Sequence, residues 1–248
     1  MKISIIIPAY NEARLIRSCL ESVEKERAAN PTLLCEVIVV NNASTDTTAK
    51  VASSFSRVTV IDEPRKGIVW ARKAGYEHSR GVLLANIDAD TILPSGWLQK
   101  VVLEFGRNPQ LLALTGPQVY YDLSRADRAL SKTFYIIGYG VNVLSGVVAG
   151  VRPMLQGGNF VLRRDALEKI GGYNTDIEFW GEDSDVGKRL SKLGKIKWTF
   201  SFPIYASGRR LKDAGIFKAG IEYTAAFLWT LVNKKPFNKK YKDVRPLR

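Results

Sequence analysis

The sequence predicts an α/β fold built on a doubly wound, mostly parallel sheet flanked by helices. Three observations carry that prediction. Short β-branched runs at residues 3–7 (ISIII), 36–40 (EVIVV), 58–61 (VTVI) and 82–87 (VLLANI) read as strands buried on both faces. Helical patterns lie between these runs. Strand and helix alternate over about the first 90 residues, which calls for parallel strands joined by right-handed crossovers.

Taken in order, the first run ends at Pro8-Ala9-Tyr10-Asn11-Glu12, and the apolar positions Leu15, Ile16, Cys19, Leu20 and Val23 then recur at helical spacing. The second run ends at Asn41-Asn42-Ala43-Ser44, where STDTTAKVASSF opens a helix with capping residues. A helix carrying Arg72, Lys73 and His78 precedes the fourth run, which ends at Asp88-Ala89-Asp90. A helix is expected at 95–106, followed by a long middle segment, GGNFVLRRDALEKIGG at 157–172 and a helix from about Glu182 to Leu193. No repeat or low-complexity linker interrupts the chain. Residues 134–151 form an uncharged run at the lower limit for a membrane span. Four glycines, Asn142 and Ser145 argue against a crossing, and so does topology if the acidic groups on either side share one site.

Composition narrows the class. The chain has 248 residues, 46% hydrophobic and 25% charged, which excludes a disordered polymer and suits one soluble domain. Met1-Lys2 runs directly into an apolar stretch too short for a signal-peptide core, so the expected location is the cytoplasm, with a peripheral position on the inner face of the membrane. Cys19 and Cys35 lack metal-ligand spacing and are expected to be buried thiols. The net charge of +13 points to polyanionic partners. From Ser207 to Arg248 there are 11 Lys or Arg against 3 Asp or Glu, so this segment holds +8 of the +13. It joins an apolar helix, AGIFKAGIEYTAAFLWTLV, to a basic cluster, and that pairing suits an anionic membrane surface. The expected organisation is therefore a catalytic unit at 1–206, with halves at about 1–92 and 93–206, and a basic amphipathic segment at 207–248.

In open sheets of this kind ligands sit beyond the carboxyl ends of the strands. The three polar strand ends therefore sketch a site. Asp88 and Asp90, one residue apart on a turn after a buried strand, make a hard-oxygen pair suited to Mn²⁺ or Mg²⁺, whose remaining ligands come from water and a substrate diphosphate. A simple helix cap at Pro94 is the competing reading. Glu182, Asp183 and Asp185 precede Val186, Leu190 and Leu193 at helical spacing, where acidic residues also suit the helix dipole.

SIIIPAYNE, VIVVNNASTDTT, LLANIDADTILPSGWL, GGNFVLRRDAL and GEDSDVGKRL stand in an order and spacing that resembles family 2 glycosyltransferases of the GT-A fold, a Rossmann-like sheet, over roughly residues 2–200. The resemblance implies inverting transfer of a sugar from a nucleotide-diphosphate sugar to a hydroxyl. By it, Asp88 and Asp90 form the metal-binding motif, and Pro8, Ala9, Tyr10, Glu12, Ala89 and Arg72 line the nucleotide pocket. Gly158 stands beside the donor sugar. Asp183 is the general base that takes the acceptor proton, with Glu182 orienting the acceptor. Many relatives have an aspartate where Asn41 stands. By the resemblance the donor is expected to be a UDP-sugar, and because the Asn41 amide both accepts and donates, GDP and dTDP sugars stay open. Relatives often complete the metal shell with a histidine, which PIYASGRR lacks, and Arg209 and Arg210 are the basic groups there. The acceptor is expected to be a saccharide or a polyprenyl-linked molecule. A nucleotidyltransferase would open with a glycine-rich loop absent from IIIPAYNE. A nucleic-acid binder would interleave its charge with aromatics instead of concentrating it behind an apolar helix, so nucleic acid is not an expected partner.

Overall fold

The computed structural model describes residues 1–148, 150, 152, 154–177 and 181–232. The expected basic cluster from residue 233 onward lies outside the described residues. The first four strands, β1 (Lys2–Ala9), β2 (Leu34–Asn41), β3 (Val58–Asp62) and β4 (Leu83–Ile87), are mutually parallel. They are connected by α1 (Ile16–Ala29), α2 (Thr48–Ser53) and α3 (Ile68–His78). Strand β5 (Thr91–Ile92), helix α4 (Trp97–Arg107), β6 (Leu111–Thr115), β7 (Gln118–Tyr120) and the long helix α5 (Arg125–Val148) follow. The remainder is β8 (Asn159–Arg163), α6 (Arg164–Lys169), α7 (Glu182–Ser191), β9 (Lys195–Trp198), β10 (Ile204–Ala206), α8 (Arg209–Ala214) and α9 (Ile216–Val232).

The main sheet has seven strands in the order β3-β2-β1-β4-β8-β6-β9. Strand β8 runs antiparallel to both its neighbours, and the other pairings are parallel. A small sheet, β5-β10-β7, stands at the carboxyl end of β4. Alternation along β1 sorts the core. Ile3, Ile5 and Ile7 pack with Cys19, Leu20 and Val23 of α1 and with Trp97, Val101 and Phe105 of α4. Ile6 faces the other layer, with Val69 and Ala74 of α3, Phe160 and Leu162 of β8, and Val186 and Leu190 of α7. Each face of the sheet is thereby covered by helices, so the continuous apolar strands read from the sequence have partners on both sides. Cys19 is buried and Cys35 partly so, and both are free thiols.

Helices α5 and α9 lie against each other beside the sheet, with Phe134 and Phe217 in ring contact at 6.3 Å. Among the described residues no helix is long and apolar enough to cross a membrane. Residues 134–148 of the uncharged run instead form the second half of α5.

Candidate active site

The site forms where β1, β2 and β4 end. The chain after β4 turns back at once, because the Asp88 carbonyl accepts the Thr91 N–H at 3.2 Å and the Thr91 hydroxyl at 2.7 Å. That turn fixes Asp88 and Asp90, while Ala89 between them packs into the core. After β1, the Glu12 N–H donates to the Thr48 hydroxyl at 2.7 Å, and Asn11, at φ 52°, accepts the Thr45 N–H through its side chain at 2.8 Å. Asparagine tolerates that left-handed backbone better than most residues.

Arg72, on α3, ties the distant parts together. Its side chain is 1% exposed, an unusual burial for a guanidinium. One Nη hydrogen-bonds Glu182 at the start of α7, and the other lies 3.4 Å from Asp88 Oδ1. Burial acts to depress the Arg72 pKa, but Glu182 and Asp88 outweigh it and the group is held above its ordinary value. Glu182 is pushed up to about 7 by burial, against the pull of Arg72. Asp183 is also raised by burial, although Arg72 and its own hydrogen bonds oppose the shift. Its Oδ2 accepts the Gly157 N–H at 2.8 Å and its Oδ1 accepts the Ser184 N–H at 2.7 Å. A second cation closes the other flank. Arg209, at the start of α8, donates to both oxygens of Glu12 and to Asp90 Oδ2 at 3.0 Å. Burial drives Asp90 up to about 7, opposed by Arg209 and assisted by the charges of Asp88 and Glu12.

All these groups line one cavity of about 740 Å³, within the usual range for a small-molecule site. One end holds Asp88, Asp90, Glu12, Asp183 and Glu182. The other end runs between α5 and α9, where Phe134, Val141, Ile216 and Phe227 make an apolar wall. Among the described residues no group of three or more His, Cys, Asp or Glu side chains is gathered to cage an ion. The Asp88–Asp90 pair fits a divalent cation that takes its remaining ligands from water and substrate oxygens: two hard carboxylates lining one cavity.

A family model described as "Glycosyl transferase family 2" matches residues 4–171 of this arrangement. The chain belongs to glycosyl transferase family 2. It is a glycosyltransferase with a GT-A fold, and a second model, "N-terminal domain of galactosyltransferase", matches residues 152–202 of this family 2 chain. Dolichyl-phosphate beta-glucosyltransferase ALG5D of Trichomonas vaginalis is 27% identical over 94% of this chain and 77% of its own length. Glycosyltransferase AglE of Haloferax volcanii is 37% identical over 77% of this chain and 62% of its own. Among solved structures, the mannosyltransferase PcManGT of Pyrobaculum calidifontis, in complex with GDP-Man and Mn²⁺, superposes with a TM-score of 0.66 at 21% identity, over 93% of this chain and 71% of the other.

The residues singled out in this family 2 chain are placed as follows. Pro8, Ala9, Tyr10, Glu12, Arg72, Asp88, Ala89, Asp90, Glu182 and Asp183 all line the cavity. Gly158 stands behind the Asp88 carboxylate. Asn41 is placed differently from the expectation: its Nδ2 donates to Asp62 at 2.7 Å, and the neighbouring Asn42 lines the cavity in its stead. Asn42 is itself engaged, donating to the carbonyls of Glu63 and Arg65 and accepting the Gly67 N–H at 2.8 Å. Arg72 lines the cavity as the buried partner of two carboxylates. Arg163 and Arg164 bind backbone carbonyls of Leu111 and Gly81 and stay away from the cavity, and His78 is an exposed residue at the end of α3. Lys66 and Trp70 line the cavity beside Tyr10 and were not singled out from the sequence. Lys66 sits 5.0 Å above the Tyr10 ring and 3.2 Å from its hydroxyl. The signal available for them was the polar run ending at Gly67, just before α3.

Proposed function

We propose that this chain is an inverting, divalent-metal-dependent glycosyltransferase that moves a sugar from a nucleotide-diphosphate sugar to a hydroxyl of a saccharide or lipid-linked acceptor. One observation supports it above the rest. Arg72 is ion-paired with Asp88 and Glu182 at once, so the carboxylates after β4 and those opening α7 flank the same polar end of one cavity. An inverting displacement needs that layout, with a proton acceptor on one side of the sugar ring and a charge sink on the other.

Asp88 and Asp90 would hold Mn²⁺ or Mg²⁺, which supplies Lewis-acid stabilisation of charge on the departing nucleoside diphosphate when bound. The polar face formed by Pro8, Tyr10, Asn42 and Lys66 would receive the nucleotide, with the Tyr10 ring as the aromatic surface for a base. A UDP-sugar is the donor that the family resemblance favours, and the similarity to an enzyme bound to GDP-Man keeps GDP open. Asp183 takes the proton of the acceptor hydroxyl. As that oxygen forms its bond to the anomeric carbon from one face, the bond from carbon to the diphosphate oxygen breaks on the other. Each Asp183 oxygen already accepts one backbone N–H, which fixes the carboxylate while leaving a lone pair for the acceptor. Glu182, held by Arg72, orients the acceptor. The apolar end of the cavity between α5 and α9 suits a hydrocarbon portion of the acceptor, in keeping with a relative named for dolichyl phosphate. Residues 1–206 would act as the catalytic unit, and 207–248 would dock it peripherally on the cytoplasmic side of an anionic membrane.

The experiment is a screen of UDP, GDP and dTDP sugars with Mn²⁺ for thermal stabilisation and slow donor hydrolysis, followed by Asp183→Asn. That variant should keep donor binding and lose roughly 10²- to 10⁴-fold in transfer. Because only the ionised base accepts a proton, wild-type transfer should rise with pH and level off above the ordinary carboxylate range, in line with the raised Asp183 pKa. Unchanged transfer by Asp183→Asn removes that residue from the mechanism.

A further inference from the structure

Arg209 contacts the very carboxylate that the proposed reading gives to the metal. Its guanidinium spans Asp90 and Glu12, a residue on the turn after β4 and one on the turn after β1. The Glu12 and Asp90 side chains are only 6% and 18% exposed, so these neighbouring carboxylates need a cation beside them to be stable in ionised form. Within the described residues the guanidinium meets that need. Its backbone is held to the same place by separate bonds. The Ser207 N–H donates to the Asp90 carbonyl at 3.3 Å, while Asp122 accepts the Gly208 N–H at 2.6 Å and the Ser207 hydroxyl at 3.0 Å. Gly208 is required for this seat, because a Cβ there would lie 2.5 Å from Leu123 Cγ.

We infer that Arg209 is a resident counter-cation which a divalent ion must displace from Asp90, so that metal loading and the position of the α8 N-terminus are exchanged against each other. This rests on the reading that Asp88 and Asp90 hold the metal. The physical argument is competition for one carboxylate. A guanidinium and a divalent ion cannot both sit within bonding distance of Asp90 Oδ2 without repelling each other, and the ion brings the larger charge. Arg209 then swings out of its place on Asp90, and the Ser207 and Gly208 backbone bonds that seat the α8 N-terminus loosen with it. From there its donors face the cavity where the donor's diphosphate collects, and a planar guanidinium suits phosphate oxygens. Arg209 is thus a positioning residue whose partner changes with the loading of the site.

The test is Mn²⁺ affinity without nucleotide, measured by calorimetry for wild type, Arg209→Gln and Asp90→Ala, together with unfolding temperature in EDTA. Arg209→Gln should bind Mn²⁺ about tenfold more tightly than wild type, the worth of one charge-assisted hydrogen bond lost by the competitor. It should also unfold at a lower temperature in EDTA, with the gap closing in saturating Mn²⁺. Arg209→Lys, which keeps the charge but cannot span both carboxylates, should fall between the two. In wild type, amide exchange at Ser207 and Gly208 should speed up when Mn²⁺ is added. If Arg209→Gln binds Mn²⁺ no better than wild type while Asp90→Ala binds it worse, the exchange is wrong and the metal reading stands. If Asp90→Ala binds Mn²⁺ as wild type does, or no protein binds it, both fall. Should Arg209→Gln fail to fold, unchanged wild-type amide exchange on adding Mn²⁺ is enough to overturn the exchange.

Discussion

Gly158 has φ +75°, and a Cβ built on it would overlap the Asp88 carboxylate. Only glycine meets both demands, a left-handed backbone and a carboxylate pressed against it. Gly158→Ala should therefore destabilise the fold by about 1–2 kcal/mol from the backbone alone. It should also shift Asp88 and weaken Mn²⁺-dependent nucleotide-sugar binding by roughly tenfold, a loss near 1.4 kcal/mol. Urea unfolding and donor titration measure the two effects separately, and donor affinity equal to wild type would show that Asp88 tolerates the displacement. At this scale the sequence was partly legible. Asp88, Asp90 and Asp183 stand out because carboxylates after a buried run need a reason to be there. Arg72 does not stand out, since its burial depends on two partners, one of them 110 residues away in the chain. Asn41 and Asn42 show another limit. Asn41 ends β2 and Asn42 follows it, so their side chains leave the chain in different directions, and composition does not say which one faces the ligand.

Helix α4 illustrates the same boundary for elements. The expected span of 95–106 is close to the observed Trp97–Arg107, because Leu98, Val101 and Phe105 repeat at helical spacing and are buried. Its start has no side-chain cap of its own. Glu26, 3% exposed on α1, accepts the Gly96 N–H and the Leu98 N–H, each at 2.9 Å. A carboxylate at a helix N-terminus gains from the orphan N–H groups and from the dipole. Glu26→Ala should cost about 1–3 kcal/mol, since it leaves two buried donors unpaired, and Glu26→Gln should cost less. Equilibrium urea unfolding gives the values, and equal midpoints for wild type and Glu26→Ala would show that water replaces the carboxylate. No local pattern announces this cap, because its donor residues and acceptor are about 70 residues apart. Strands β5, β7 and β10 escaped for a different reason. They have two or three residues each, too few for alternation to register.

At the scale of the whole molecule, exposed apolar surface on two helices precedes the most basic stretch of the sequence. Leu144, Val147, Phe217 and Ile221 on α5 and α9 are 52–75% exposed, and the chain continues from α9 into the most basic part of the sequence. Peripheral docking predicts sedimentation with vesicles containing anionic lipid, weakening steeply as salt is raised. Phe217→Ser should lower vesicle affinity roughly tenfold, as loss of one buried aromatic requires. Salt-independent recovery in the supernatant at all lipid concentrations would sink the docking reading.

The order of strands in the main sheet bears on how the protein is made. Strand β8 seals the flank of β4, yet residues 159–163 leave the ribosome long after β1 to β4 have been released. Until then β4 presents bare N–H and C=O groups beside some of the most apolar side chains in the chain, an invitation to pair with a neighbouring nascent copy. Translation arrest or truncation anywhere between residues 92 and 158 should accordingly yield insoluble fragments, whereas products extending past β9 gain solubility.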